Sequence, residues 1–174
     1  MKALLLGCGS SRRRVIDPTG VHPEWDELVT LDIDPDCGAD VVFDLDYLST
    51  YLQLPFEDGE FDEIHAYEVL EHVGRQGDWR GFFNEFAEYY RVLKRGGHMV
   101  VTCPRWDSPW AWGDPGHTRV LSEHTFAFLS QANYEQVGST AMTDYRGVWK
   151  GNFQCYVVGD FPSPHSAGYV LEKL

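Results

Sequence analysis

The chain has 174 residues, of which 43% are hydrophobic and 24% charged, as in one ordinary globular domain. Its 14 basic and 27 acidic side chains give a formal net charge of −13. A surface this acidic repels a phosphate backbone, which argues against general nucleic-acid binding, and it favours a cationic ligand.

Five short apolar runs bounded by turn residues predict buried strands. They cover residues 2–6, 28–33, 41–43, 63–67 and 98–102. Residues 10–25 carry arginines, prolines and a glycine without an apolar stripe, so the first crossover helix is predicted to be short or missing. Strands separated by helices imply a parallel sheet with right-handed crossovers, which is an α/β fold.

The clearest predicted helix lies between the fourth and fifth strands. Asp78 is its expected N-cap. Lys94 and Arg95 are expected in its last turn, before a C-cap at Gly96. An aromatic and apolar stripe at spacings of three and four residues packs this helix on the sheet. The stripe consists of Trp79, Phe82, Phe83, Phe86, Tyr90 and Leu93. Ser122 is expected to cap a further helix.

The C-terminal part of the chain predicts two more strands, at residues 137–145 and 153–158, joined as an antiparallel hairpin. Residues 162–174 contain Pro, Ser and Gly and predict a partly disordered tail. The expected organisation is therefore one domain over residues 1–160, followed by a C-terminal tail over residues 161–174.

The cysteines and the apolar runs bear on where the protein works. Cys8, Cys37, Cys103 and Cys155 show neither a CxxC pair nor a zinc spacing, which favours free thiols in a reducing cytoplasm. The first apolar run is too short for a signal peptide, and no run approaches the roughly 20 residues of a membrane span. The sequence predicts a cytoplasmic protein that does not enter a membrane.

In open α/β sheets, ligands bind beyond the carboxyl ends of the strands. Glycines after the first strand let a ligand approach the backbone closely. Asp32, after the second strand, is placed to accept hydrogen bonds from both hydroxyls of a ribose. Asp44 and Leu45, after the third strand, are placed to flank an adenine. These ends predict a nucleoside site, and its candidate residues are Gly7, Cys8, Gly9, Ser10, Asp32, Ile33, Asp44 and Leu45.

Four segments, GCGS, LDIDP, LPFEDGEFDEIHAYEVLEHV and YRVLKRGGHMVVTCP, follow one another along the chain. In this order and spacing they resemble the class I S-adenosylmethionine-dependent methyltransferases, over about residues 2–134. The resemblance implies a Rossmann-like fold, with a doubly wound, mostly parallel seven-stranded sheet and an antiparallel C-terminal hairpin strand. It also implies S-adenosylmethionine as the cofactor. Within the site it places the glycine loop at the methionine end, Asp32 at the ribose, and Tyr67 with Glu68 beneath the sulfonium.

Two positions depart from the family pattern. Leu5 stands where the family has an acid two residues before its first glycine, and Ser11 stands where it has a third glycine. Both positions belong to the methionine end of the site. Arg12 or Arg13, beside the loop, is therefore a candidate for binding the methionine carboxylate.

A second group of polar residues follows the fourth and fifth strands. Glu68, Glu71 and His72 lie at i, i+3 and i+4, on one face if the segment is helical, and His117 follows the fifth strand. Such a set suits Mg²⁺ or Mn²⁺, and it resembles the metal site of small-RNA 2′-O-methyltransferases and a segment of ubiquinone-pathway O-methyltransferases. Alternatively, EVLEH is the ordinary opening of this segment in methyltransferases. Without a metal, His117 or His72 is the candidate general base.

Trp106, Trp110 and Trp112 crowd the loop after the fifth strand. They form either an aromatic wall over a small or compact acceptor, with O-methylation favoured, or a hydrophobic anchor for the loop. Two other functions stay open. One is a binding protein that kept the fold and lost methyl transfer. The other is a nicotinamide-dependent oxidoreductase, which needs a glycine where Arg12 stands and a well-formed helix after the glycines.

Overall fold

A computed structural model describes residues 1–21, 24–158, 161 and 163–174. These residues contain one seven-stranded sheet with the order β3-β2-β1-β4-β5-β7-β6. β1 to β5 are parallel, and β7 runs antiparallel to both of its neighbours. The predicted fold class is confirmed. The strands are β1 (Lys2–Leu6), β2 (Glu27–Asp32), β3 (Val41–Val42), β4 (Phe61–Tyr67), β5 (Leu93–Pro104), β6 (Phe153–Val157) and β7 (Ser166–Lys173).

The main helix begins where the sequence predicts and ends earlier. The Asp78 side chain caps it by accepting a hydrogen bond from the amide of Gly81 at 3.0 Å. The helix ends at Val92, and the chain passes directly into β5, so the expectation of a last turn at Lys94 and Arg95 with a C-cap at Gly96 is wrong. The α-helices are α1 (Trp79–Val92), α2 (Pro109–Gly113) and α3 (Glu123–Phe126), and the 3₁₀ helices are Leu45–Thr50, Leu70–His72, Ala127–Leu129 and Ala132–Gln136.

The C-terminal hairpin uses other residues than predicted. Residues 137–145 form no strand beyond one isolated bridge, and the Tyr145 ring packs instead on Trp79 and Phe83. β7 lies between β5 and β6, with Tyr169 and Leu171 buried in the core. The prediction of a tail after residue 160 is therefore wrong for Ser166–Lys173, whereas Pro162 lies outside the described residues.

A buried polar chain occupies the sheet face beside the first crossover, whose described residues, 7–21 and 24–26, contain no helix. Glu63, His65 and Tyr67 alternate along β4 and therefore share this face. Arg14 donates to both carboxylate oxygens of Glu63 at 2.9 and 2.7 Å. Nε2 of His65 lies 2.9 Å from Oε2 of Glu63, and Nδ1 lies 2.6 Å from the Tyr67 hydroxyl.

The direction of this chain follows from its acceptors. The Glu63 carboxylate accepts, so Nε2 of His65 carries a proton, and burial lowers the pKa of His65, which keeps the ring neutral. Nδ1 then accepts from the Tyr67 hydroxyl, whose oxygen accepts the amides of Val15 and Ile16 at 3.2 and 3.4 Å. Side-chain hydrogen bonds thus hold residues 14–16 against the sheet, where a helix would otherwise pack.

All four cysteines are free thiols. Within the described part of the chain, no helix has the length and apolar character needed to cross a membrane.

Candidate functional site

A cavity of about 260 Å³ opens beyond the carboxyl ends of β1, β2, β3 and β4. Six of the ten predicted cofactor residues line it: Gly7, Asp32, Ile33, Asp44, Leu45 and Glu68. Its other lining residues are Leu31, Phe43, Asp46, Val69, His72 and Val73. The structure thus brings together the ends of the strands that the sequence selected, and it adds apolar walls from Phe43, Val69 and Val73.

Asp32 joins the cavity to the glycine loop. Its side chain is nearly buried, its Oδ2 accepts the amide of Gly9 at 2.7 Å, and its Oδ1 accepts the amide of Asp34 at 2.9 Å. Each oxygen keeps a second lone pair. Cys8, Gly9 and Ser10 do not line the cavity, but the Gly9 contact holds them beside it.

Gly7 and Glu68 bring the β1 and β4 ends close together. A Cβ at Gly7 would overlap Cγ2 of Val69, and the backbone of Gly7 is left-handed, with φ of 58°. Only glycine fits this position without strain. Glu68 is also left-handed, with φ of 54°, and its amide donates to the carbonyl of Thr102. A non-glycine residue held in this conformation is typical of a functional site.

Two residues that were predicted to contact the cofactor are engaged elsewhere. The Tyr67 hydroxyl contacts Val15, Ile16 and His65, and Tyr67 does not line the cavity. The guanidinium of Arg12 donates to the carbonyl of Gly9 at 2.8 Å and to that of Gly38 at 2.9 Å. Arg12 therefore joins the glycine loop to the loop after β2, and it does not line the cavity.

A second centre adjoins the cavity at His72. Glu71, His72 and His117 each present one ligand atom, and these atoms lie within 4.8 Å of one another. The two imidazole rings meet edge to face, with their centroids 4.7 Å apart. Nδ1 of His72 donates to the carbonyl of Gly116 at 3.1 Å, which leaves Nε2 free to bind. Three of the four predicted metal candidates therefore converge, and Glu68 faces Glu71 from the cavity side.

Glu71 and His117 each carry a buried polar atom without a partner. Oε2 of Glu71 and Nδ1 of His117 are buried and make no hydrogen bond. Burial, helped by the negative charge of the nearby Glu68, raises the pKa of Glu71 to about 8. Unpaired buried atoms of this kind are costly unless a ligand, proton or ion satisfies them.

Arg119 positions this centre, and the sequence analysis missed it. It is buried, it pairs with Glu85 at 2.7 and 2.8 Å, and its Nε donates to the carbonyl of Leu70 at 2.8 Å. The ion pair thereby fixes the 3₁₀ turn that carries Glu71 and His72. The sequence contains one indication of this ion pair. Glu85 lies within the apolar stripe of α1, and a buried carboxylate needs a buried cation as its partner.

The three tryptophans lie on the surface around α2. Trp106, Trp110 and Trp112 are 52%, 59% and 71% exposed. The indole of Trp112 donates to the carbonyl of Trp106, and Ser108 caps α2. This is an uncovered aromatic surface rather than a set of buried anchors.

The matches to known proteins agree with this geometry. The methyltransferase domain family matches residues 4–101, more than half of the chain, and the chain therefore belongs to this family. A search of curated proteins finds no match. Among solved structures, a SAM-dependent methyltransferase from Archaeoglobus fulgidus is 15% identical, with a TM-score of 0.57 over 99% of this chain and 86% of that one.

Two further structures share the fold. A SAM-dependent methyltransferase from Aquifex aeolicus is 14% identical, with a TM-score of 0.54 over 100% of this chain and 82% of that one. A methyltransferase of Haloferax volcanii, solved in complex with the Trm112 methyltransferase activator, is 14% identical, with a TM-score of 0.54 over 99% and 82%. At this identity the likeness establishes a shared fold. It agrees with the family match, which identifies the chain as a member of the methyltransferase domain family.

Proposed function

We propose that this protein binds S-adenosylmethionine in the cavity at the ends of β1 to β4 and transfers its methyl group to a hydroxyl of a compact acceptor. The observation that carries the proposal is the pairing, in one cavity, of the oriented Asp32 carboxylate with an exposed apolar wall. Ile33 lines this cavity and is 63% exposed, so its apolar side chain is available to contact a ligand.

The cavity residues fit the parts of the cofactor. Asp32 has a free lone pair on each oxygen for the ribose hydroxyls. Ile33 and Leu45 supply apolar surfaces for the adenine, beside the carboxylate of Asp44. Glu68 and the acidic surface favour the sulfonium and ammonium charges.

The second centre, formed by Glu71, His72 and His117, can accept the proton that a hydroxyl acceptor must lose. When bound, S-adenosylmethionine supplies an electrophilic methyl group. Glu71, with a pKa of about 8, changes protonation near neutral pH, as a general base for a hydroxyl proton must. His72 lines the cavity and touches His117, so the three side chains connect the cofactor site with the acceptor side. We assign proton acceptance to this group of three.

A divalent cation is the alternative use of the same three side chains, because a lone pair that binds a metal cannot also accept a proton. Oε2 of Glu71, Nε2 of His72 and Nδ1 of His117 fit as ligands, because two of these atoms are buried without a partner and His72 is oriented by Gly116. Mg²⁺ or Mn²⁺ there would polarise an acceptor hydroxyl. We expect Mn²⁺ to bind the protein in a calorimetric titration and His117→Ala to abolish binding. His124→Ala, which changes an exposed histidine, is the matched control and should leave binding unchanged.

Acceptor recognition is assigned to the exposed tryptophans around α2. Once an acceptor is known, Trp110→Ala and Trp112→Ala should raise its KM while leaving the Kd of S-adenosylmethionine unchanged. Unchanged KM values in both variants would remove the tryptophans from acceptor recognition.

The experiment that tests the function is a calorimetric titration with S-adenosylmethionine and, separately, with NAD. Binding of S-adenosylmethionine alone, lost in Asp32→Ala and kept in the exposed control Asp36→Ala, supports the proposal. Binding of NAD alone would favour an oxidoreductase. Binding of S-adenosylmethionine without turnover on any hydroxyl acceptor, with or without Mn²⁺, would favour a binding protein that has lost transfer.

A further inference from the structure

Two cysteines lie on the two loops that Arg12 holds together. Cys8 lies in the glycine loop after β1, and Cys37 lies in the loop after β2. Their sulfur atoms and a carboxylate oxygen of Asp32 all lie within 4.8 Å of one another. The guanidinium of Arg12 donates to the carbonyls of Gly9 and Gly38, the residues that follow the two cysteines.

We propose that Cys8 and Cys37 form a reversible disulfide that closes the two loops across the edge of the cofactor cavity. The sulfur atoms need to approach by no more than about 3 Å to reach the roughly 2.05 Å of an S–S bond. The neighbouring backbone permits this movement. Gly9 and Gly38 are both left-handed, and no atom lies within 4 Å of where a Cβ would stand at either position.

The three side chains are better suited to a disulfide between the two cysteines than to a metal site that also includes Asp32. Both of its carboxylate oxygens already accept backbone amides, from Gly9 and Asp34. A metal held by the same three residues would have to compete with these hydrogen bonds and with the proposed ribose contact. Disulfide formation requires no change in Asp32, so the pair of thiols is better suited to oxidation than to metal binding.

The exposure of the two thiols sets the order of events. Cys37 is half-buried, whereas Cys8 is buried, so Cys37 meets a reagent first. Its thiolate attacks a small disulfide such as oxidised glutathione, forming a mixed disulfide and releasing one glutathione thiolate. The Cys8 thiolate then attacks Sγ of Cys37 and displaces the second one. The two protons of the protein thiols pass to the two released thiolates, so two cysteines are oxidised and one small disulfide is reduced.

Closure affects the glycine loop through the Gly9–Asp32 hydrogen bond. Drawing Cys8 toward Cys37 displaces Gly9, whose amide orients the Asp32 carboxylate. We expect the affinity for S-adenosylmethionine to fall at least tenfold on oxidation. By linkage, bound S-adenosylmethionine shifts the thiol–disulfide equilibrium toward the reduced protein by the same factor. These two effects rest on the proposed function, whereas formation of the disulfide does not.

The test uses the purified full chain, oxidised glutathione and peptide mapping by mass spectrometry without reduction. We expect a Cys8–Cys37 peptide pair and a tenfold or greater loss of affinity that dithiothreitol reverses. Cys37→Ser should keep the affinity of the reduced protein and resist oxidation. Cys155→Ser is the control and should behave as the parent protein, because burial raises the pKa of the Cys155 thiol to about 12.

Three outcomes would overturn the inference. These are a stable glutathione adduct on Cys37 with no Cys8–Cys37 pair, no oxidation at either cysteine, and a Cys8–Cys37 disulfide that leaves the affinity unchanged. If the reduced protein binds no S-adenosylmethionine, the proposed function fails, and the peptide map still decides whether the disulfide forms.

Discussion

The amide of Gly9 donates a hydrogen bond to Oδ2 of Asp32 at 2.7 Å, while the amide of Asp34 donates to Oδ1 at 2.9 Å. The carboxylate is therefore oriented by the protein before any ligand arrives. Because the side chain is already ordered, it loses little conformational entropy when a ligand binds.

This relationship predicts that Asp32→Asn is nearly as damaging as Asp32→Ala. An asparagine amide has one oxygen, so its NH₂ group must face either the Gly9 amide or the Asp34 amide, donor against donor. We expect at least a tenfold loss of affinity for S-adenosylmethionine, and a fall of about 1–3 kcal/mol in the free energy of unfolding. Calorimetry and urea denaturation measure the two, with Asp36→Asn as the exposed control. An unchanged affinity in Asp32→Asn would contradict the assignment.

The two glycines of the first loop differ in what surrounds them, which gives a paired prediction. Both have positive φ, so alanine at either position costs about 1–2 kcal/mol in unfolding free energy. At Gly7 the new Cβ also overlaps Val69, adding about 1–3 kcal/mol, whereas at Gly9 it meets open space. Urea denaturation of Gly7→Ala and Gly9→Ala measures the difference. The Val69→Ala change should recover part of the loss in Gly7→Ala, and equal losses in the two single variants would refute the overlap.

The strands, the α1 start and most of the cavity followed from the sequence because each depends on local signals. Short apolar runs bounded by turn residues predict the strands. The carboxyl ends of parallel strands lie at the same edge of a sheet, so the residues there come together whatever the conformation of the connecting loops. The C-terminal hairpin did not follow. The apolar residues of segment 137–145 suggested a strand, yet the partly buried ring of Tyr145 packs on Phe83 without strand pairing. The small residues at the start of β7 suggested a tail, yet β5 and β6 both pair with it.

The hydrogen-bonded chain of Arg14, Glu63, His65 and Tyr67 could not be predicted from the sequence either. Nothing in the residues around Arg14 indicates which strand its side chain contacts. Its importance is testable with Tyr67→Phe. This change leaves the amides of Val15 and Ile16 and Nδ1 of His65 without their partner. We expect the free energy of unfolding to fall by about 1–3 kcal/mol in urea denaturation at pH 7. Tyr47→Phe, at an exposed ring, is the control, and a change below about 0.5 kcal/mol in Tyr67→Phe would show that the chain contributes little.

Glu71 gives a prediction in pH. Its pKa of about 8 in the folded protein lies above the ordinary value of 4.5. A group whose folded pKa is raised contributes stability that is complete below the ordinary pKa and is lost as the pH rises through the folded pKa. The free energy of unfolding should therefore fall between about pH 5 and pH 8, by on the order of 4 kcal/mol if Glu71 acts alone.

Glu71→Gln isolates this contribution, because glutamine resembles the protonated carboxyl and cannot ionise. We expect the variant to match the parent protein at pH 5 and to exceed it in unfolding free energy at pH 8. Urea denaturation at the two pH values measures this, with Glu135→Gln as an exposed control that keeps the pH dependence of the parent. Adding Mn²⁺ should reverse the order of the two proteins' responses, because a cation binds the ionised carboxylate. At pH 8 we expect Mn²⁺ to raise the free energy of unfolding of the parent protein and to leave that of Glu71→Gln unchanged. If the parent protein and Glu71→Gln differ in unfolding free energy by the same amount at pH 5 and pH 8, the pKa of Glu71 is not raised. Glu71 then cannot serve as the base near neutral pH.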